Sequence, residues 1–136
     1  MAGQNKKIGG GGFHHIAMKV ADFEKSVKFY TEGLGFEAAM SWGEGNGRAV
    51  MLDTGDGNFL ELFAGGTPGG KPEGVLLHMA FRTDNCDNAV DQAVAAGAVV
   101  TAEPTDVDIK SDPVTMVRIA FCKGPDGELL EFFQYR

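Results

Sequence analysis

Leu77-His78-Met79-Ala80-Phe81-Arg82 is a worn copy of His14-His15-Ile16-Ala17-Met18-Lys19. Setting His78 on His15 is an offset of 63 (78 − 15), and the same offset lays Ala80 on Ala17, Arg82 on Lys19, Asn85 on Asp22 and Val90 on Val27. A second pair of stretches repeats at an offset of 70 (131 − 61): Asp56-Gly57-Asn58-Phe59-Leu60-Glu61-Leu62-Phe63 against Asp126-Gly127-Glu128-Leu129-Leu130-Glu131-Phe132-Phe133. Each half therefore opens on a strand that carries a histidine and closes on a strand that carries a glutamate.

Outward from these stretches the chain reads as two βαβββ units. Residues 13–20 alternate with a period of two, which predicts a strand with His15, Ala17 and Lys19 on one face. Asp22 is placed to cap a helix of about three turns whose apolar stripe runs Phe23, Val27, Tyr30 and Leu34, with Gly33 or Gly35 to stop it. Residues 36–42, 48–53 and 58–64 are predicted strands joined by glycine-rich turns. A Gly- and Pro-rich linker at 65–74 follows. The plan then repeats: a strand over 75–83, a helix over 87–96 capped by Asn85 and ended by Gly97, and strands over 98–102, 115–123 and 128–134. Residues 103–113, with two prolines and three aspartates, are expected to form a loop that covers a pocket. Residues 1–12 end in four glycines and read as a flexible tail. The remainder, 13–136, is expected to be a single domain, with module one at 13–64 and module two at 75–136.

Composition bounds the function. The 136 residues are 43% hydrophobic, enough to fill a core, and the net charge of −7 argues against nucleic acid or anionic membrane as a partner. Cys86 and Cys122 lack CxxC spacing, which suits a reducing compartment and structural roles. No long apolar run or signal segment occurs in the sequence, so a cytoplasmic location is expected.

One βαβββ unit covers only one face of a small sheet, whereas two related by a pseudo-twofold complete an α+β half-barrel with helices outside and a cleft within. Equivalent positions then face each other, and His15, Glu61, His78 and Glu131 are expected to converge on one divalent-metal site. Glu61 shares a strand face with Phe59 and Phe63, and Glu131 shares one with Leu129 and Phe133, stripes expected to face the core. A buried carboxylate there needs a partner or a ligand. Two imidazoles and two carboxylates suit Zn, Ni, Co, Mn or Fe. His14 is expected to point to the opposite face and to stay outside the ligand set. Trp42, Met51, Phe59 and Phe133 read as core.

His15-Ile16-Ala17-Met18-Lys19-Val20, the run from Asp22 to Tyr30, Leu34-Gly35-Phe36, Leu60-Glu61-Leu62, His78-Met79-Ala80-Phe81 and the run from Asp126 to Glu131 together resemble the vicinal oxygen chelate superfamily. Within it they resemble glyoxalase I (lactoylglutathione lyase). The resemblance implies a metal cleft between paired βαβββ modules, His15, Glu61, His78 and Glu131 as its ligands, and a homodimer that exchanges modules between chains. It implies a lyase or isomerase whose metal chelates vicinal oxygens of a small substrate, such as a glutathione hemithioacetal, and stabilises an enediolate during proton transfer. Glu131 would be the base, with Glu61 able to serve on the other face. Lys19 and Arg82, on the histidine-bearing faces, are placed to meet an anionic substrate, although glyoxalase I usually has Arg where Lys19 stands and Asn where Gly65 stands. Two alternatives stay open: an isomerase like methylmalonyl-CoA epimerase, which typically has Gln in place of Glu61, and a non-catalytic small-molecule binding or resistance protein.

Overall fold

Among the described residues eight strands form two four-stranded sheets, one per half of the chain. The computed structural model describes residues 6, 7, 9, 13–69, 74, 76–111 and 113–136, so most of the expected tail and part of the linker lie outside the described residues. The first sheet holds β1 (His15–Lys19), β2 (Glu37–Trp42), β3 (Ala49–Asp53) and β4 (Phe59–Phe63) in the order β1-β4-β3-β2. The second holds β5 (Met79–Arg82), β6 (Val99–Ile109), β7 (Thr115–Lys123) and β8 (Leu129–Tyr135) in the order β5-β8-β7-β6. In each sheet the opening strand runs parallel to the closing one, and the other pairings are antiparallel.

Helices α1 (Phe23–Lys28) and α2 (Cys86–Ala95) begin where the caps predict. Asp22 accepts a hydrogen bond from the Lys25 amide at 3.0 Å, and Asn85 accepts one from the Asn88 amide at 3.0 Å, each satisfying a first-turn donor. Beyond Lys28 the helix widens over Phe29–Gly33, closed by the Leu34 amide donating to the Phe29 carbonyl at 3.1 Å. The wider turn carries the consecutive rings of Phe29 and Tyr30 inward, where both are buried. Gly97 ends α2 with φ at 106°, a left-handed conformation that a side chain would disfavour.

The core lies between the helices and one face of both sheets. Leu52, Leu60, Leu62, Leu130, Phe132, Val90 and Ala93 belong to a single buried cluster. Phe81 joins its halves, its ring 5.2 Å from Phe36 and 6.5 Å from Phe132. Each large aliphatic side chain buried there contributes roughly 1.5–3 kcal/mol. No helix among the described residues is long and apolar enough to cross a membrane.

Residues 103–109, expected within a loop, instead extend β6 to eleven residues. Pro104 falls at a register shift between Ala102 and Thr105 on an edge strand, where its missing N–H costs no ladder bond. The acidic residues are matched rather than exposed to repulsion: Asp106 accepts from Arg118 at 2.9 Å, and Asp108 lies 3.7 Å from Arg136. Arg118 also holds Asp87 through two bonds, tying α2 to β7.

Candidate functional site

Register places the two histidines. β1 lies on β4 with Ala17 opposite Glu61, and β5 lies on β8 with Ala80 opposite Glu131. An alanine beside each carboxylate leaves room for the histidine two residues earlier to lean over it. His15 Nε2 comes to 3.4 Å from Glu61 Oε2, and His78 Nε2 comes to 3.0 Å from Glu131 Oε2. Both glutamates are buried at about a tenth exposure of the side chain, while the imidazoles remain more than a third exposed at 41% and 36%. Each pair is thus an acid at the floor and a base at the surface.

The surroundings differ. His15 Nδ1 lies 2.9 Å from His14 Nδ1, so one ring donates to the other. His14 therefore does not point away as expected: it precedes β1, where strand alternation has not begun, and its carbonyl accepts from the Phe59 amide at 2.8 Å. His78 has no such neighbour in Leu77 and packs edge-on against Phe121, ring centroids 5.5 Å apart. Burial raises the Glu131 carboxyl above the usual carboxylate range, and His78 partly offsets this.

The four expected ligands form two pairs rather than one point. Each histidine reaches the glutamate of its own sheet, because β1 bonds to β4 and β5 to β8 while, among the described residues, the sheets share no strand pairing. Among the described residues, no group of three or more His, Cys, Asp or Glu side chains could hold a metal ion. In kind, an imidazole nitrogen and a carboxylate oxygen side by side suit a borderline-hard divalent cation. In number, each pair supplies half of such a site.

The apolar stripes around the glutamates also turn out to face the cleft. Across the first sheet Glu61 stands opposite Met51 and Met51 opposite Met40, while Phe63 stands opposite Ala49 and Ala49 opposite Trp42. Trp42 is 42% exposed, and Phe59 and Phe133 are half-buried, so these three stand outside the core cluster, which occupies the other face, whereas Met51 is buried as expected although it lies outside that cluster. Lys19 is exposed at the end of β1. Arg82 lines a cavity with Ala80, Phe59 and Phe133, but its guanidinium is engaged by Asp56 at 2.7 Å. Cys86 and Cys122 are free thiols raised by burial, the latter to about 11, so neither is a ready nucleophile.

A further acid went unremarked in the repeat. Glu128 stands where module one has Asn58, and burial, with the Asp126 charge adding to it, pushes its carboxyl up to about 7. The mismatch in an otherwise close repeat is the signal that marks it.

The Glyoxalase/Bleomycin resistance protein/Dioxygenase superfamily model matches residues 12–132. The chain belongs to that superfamily. The uncharacterized protein YwkD of Bacillus subtilis is 33% identical over 127 residues, covering 89% of this chain and 94% of its own. A protein named probable lactoylglutathione lyase from Vibrio cholerae is 28% identical over 134 residues, covering 88% of each. Among solved structures, SMU.1112c superposes with a TM-score of 0.73 at 25% identity, covering 91% of this chain and 98% of its own. TnmS3, an antibiotic binding protein from a Streptomyces species, superposes with a TM-score of 0.66 at 22% identity, covering 93% and 97%, a likeness of fold. Two repeated modules, each a four-stranded sheet with a helix, are this superfamily's architecture as it stands in the chain.

Proposed function

We propose that this chain is a divalent-metal-dependent lyase or isomerase of the glyoxalase I type, whose site is completed by a second copy. The observation that carries this is one contact made twice: a half-exposed imidazole over a buried carboxylate, at 3.4 Å in module one and 3.0 Å in module two. His15 and Glu61 of one copy with His78 and Glu131 of the other would make the full donor set. Bound there, a divalent ion such as Zn, Ni, Co or Mn would supply Lewis-acid polarisation of two adjacent substrate oxygens. Relatives named probable lactoylglutathione lyase support the reaction class.

The chain's own groups supply the rest. Glu131 is the base, since burial makes its carboxylate a stronger proton acceptor than one in water. It takes a proton from the hydroxyl-bearing carbon beside a substrate carbonyl and returns it to the former carbonyl carbon, while the hydroxyl proton passes to the former carbonyl oxygen. The apolar walls of Met51, Phe59, Phe63 and Phe133 exclude water from the exchange.

Mixing two inactive variants tests the shared site. His15→Ala and His78→Ala each destroy one half-set, but a mixed dimer has one intact site of two. Co-refolding should restore roughly a quarter of wild-type turnover of the methylglyoxal-glutathione hemithioacetal, because half the dimers are mixed. No recovery would place the site within one chain or remove it. Methylmalonyl-CoA assayed in parallel separates the epimerase alternative.

A second reading has its own support: Met40 and Trp42, 54% and 42% exposed, lie on the glutamate-bearing face with Trp42 against Phe63 at 6.2 Å. Such an aromatic wall fits a non-catalytic binder of small molecules. Protein purified without added cations and free of divalent metal, yet binding an aromatic ligand, would favour it.

A further inference from the structure

Edges β1 and β5 are the outer strands of their sheets, and the modules meet along a groove between them. A cavity opens at each end. One, of about 690 Å³, is lined by Ile16 and Phe59 with Met79, Ala80, Phe81 and Arg82. The other, of about 570 Å³, is lined by Met79, Leu129 and His78 with Ile16, Ala17, Met18 and Lys123. The two are pseudo-twofold mates, since Met79, Ala80 and Phe81 are the repeat equivalents of Ile16, Ala17 and Met18 at an offset of 63 (79 − 16). Both volumes fall within the roughly 300–1,000 Å³ of small-molecule sites.

Their charges have diverged. In the larger cavity Arg82 is spent on Asp56 at 2.7 Å. In the smaller, exposed Lys123 has no acid partner among the described residues. Glu128, the acid among the described residues that line the cavity, is turned inward: its Oε1 lies 3.4 Å from the Asp126 amide and its Oε2 is buried. At the mouth Leu76 and Leu77 stand 76% and 56% exposed, apolar surface left uncovered among the described residues. A lone ammonium over an aliphatic floor is complementary to one kind of occupant.

We propose that this smaller cavity binds a small monoanionic amphiphile, an aliphatic body against Ile16, Met18, Met79 and Leu129 with its acid group on Lys123. His78 lines this cavity too, but the contacts proposed for the amphiphile are to Lys123 and the aliphatic wall and need no metal. Calorimetric titration of the chelator-treated protein with octanoate, octanamide and octylammonium tests it. Octanoate should bind tightest, and Lys123→Met should weaken it by about tenfold while leaving octanamide unchanged. Leu129→Trp, filling the floor, should weaken all three. Equal binding of octanoate and octylammonium, or octanoate binding indifferent to Lys123→Met, would overturn the proposal. Binding by none of them, with Leu76→Ser shifting the oligomeric state, would also overturn it and assign the groove to a second copy. Divalent-metal binding measured on the same preparation reports separately on the histidine–glutamate pairs, so failure of one reading is distinguishable from failure of the other.

Discussion

Module one and module two use the same Asp-Gly turn to reach each other, at different depths. Asp56 of the first reaches across to Arg82 in an ion pair whose side chains are 62% and 70% exposed. Asp126 of the second reaches back to the Ala21 amide at 2.8 Å and is 7% exposed. Gly57 and Gly127 follow with φ at 70° and 82°, the same left-handed turn in both. Duplication fixed the backbone and the reach of the acid, whereas the depth of each turn decides the energy of the contact. An exposed pair contributes at most about 1 kcal/mol. A buried backbone amide deprived of its acceptor costs about 1–3 kcal/mol.

The same contrast should separate the glutamates most sharply in catalysis. If module two supplies the base, Glu131→Gln should lower kcat on the hemithioacetal by about 10²–10⁴-fold. The mirrored Glu61→Gln should cost less, through weakened metal retention. Steady-state kinetics with metal content measured on each variant decides it: equal losses would make the two halves interchangeable, and full activity in Glu131→Gln would remove its role.

Next comes the acid that module one lacks. Asn58 donates to the Asp56 carbonyl at 3.3 Å, whereas Glu128 at its equivalent is raised from 4.5 to about 7 by burial and the nearby Asp126 charge. The buried Tyr30 hydroxyl is close enough to Glu128 for each to shift the other's titration, without a well-formed hydrogen bond between them. A carboxyl raised in the folded state favours folding fully below its unfolded value, and that contribution is lost as pH climbs from about 4.5 through about 7. Glu128→Gln should therefore match wild type at acid pH and exceed it at pH 8 by on the order of 2 kcal/mol. Urea midpoints at the two pH values check the sign, and an unchanged difference would show that the mismatch carries no energetic cost.

Much of this architecture was legible because repetition and period two are local signals. Asp22 and Asn85 cap where expected, and His15, Ala17 and Lys19 do share the exposed face of β1. What escaped depends on how distant parts meet. The offset between His15 and His78 shows that they are equivalent and says nothing of the distance between them, which the placement of the outer strands β1 and β5 determines. Alternation separates Phe59 and Phe63 from Leu60 and Leu62 without saying which face the helices will cover. Pro104 and the aspartates of β6 look like loop residues until Arg118 and Arg136 are found opposite them.

His14 marks a smaller asymmetry, since module two has Leu77 in its place. A ring that hydrogen-bonds the far nitrogen of a ligand histidine fixes its tautomer and orientation. His14→Ala should weaken divalent-metal binding by about tenfold, with folding unchanged. Competition against a chromophoric chelator measures it, and unaltered affinity would reduce the contact at 2.9 Å to a surface coincidence.

The smallest effect belongs to the exposed link of module one. Asp56→Asn breaks the pair with Arg82 yet leaves a side chain of the same shape, so the melting temperature should move by no more than about 4 °C. Its consequence for the groove is the sharper test. With Arg82 released, the larger cavity would come to resemble its mate in holding an unmatched cation beside apolar residues, and it should acquire weak octanoate binding. A second, weaker site appearing in calorimetry of Asp56→Asn, and disappearing when Arg82→Met is added, would show that one ion pair is what distinguishes the two ends of the groove. No second site would mean that the polar rim of Asn58 and Thr54 at the larger end, against Leu76 and Leu77 at the smaller, already separates them.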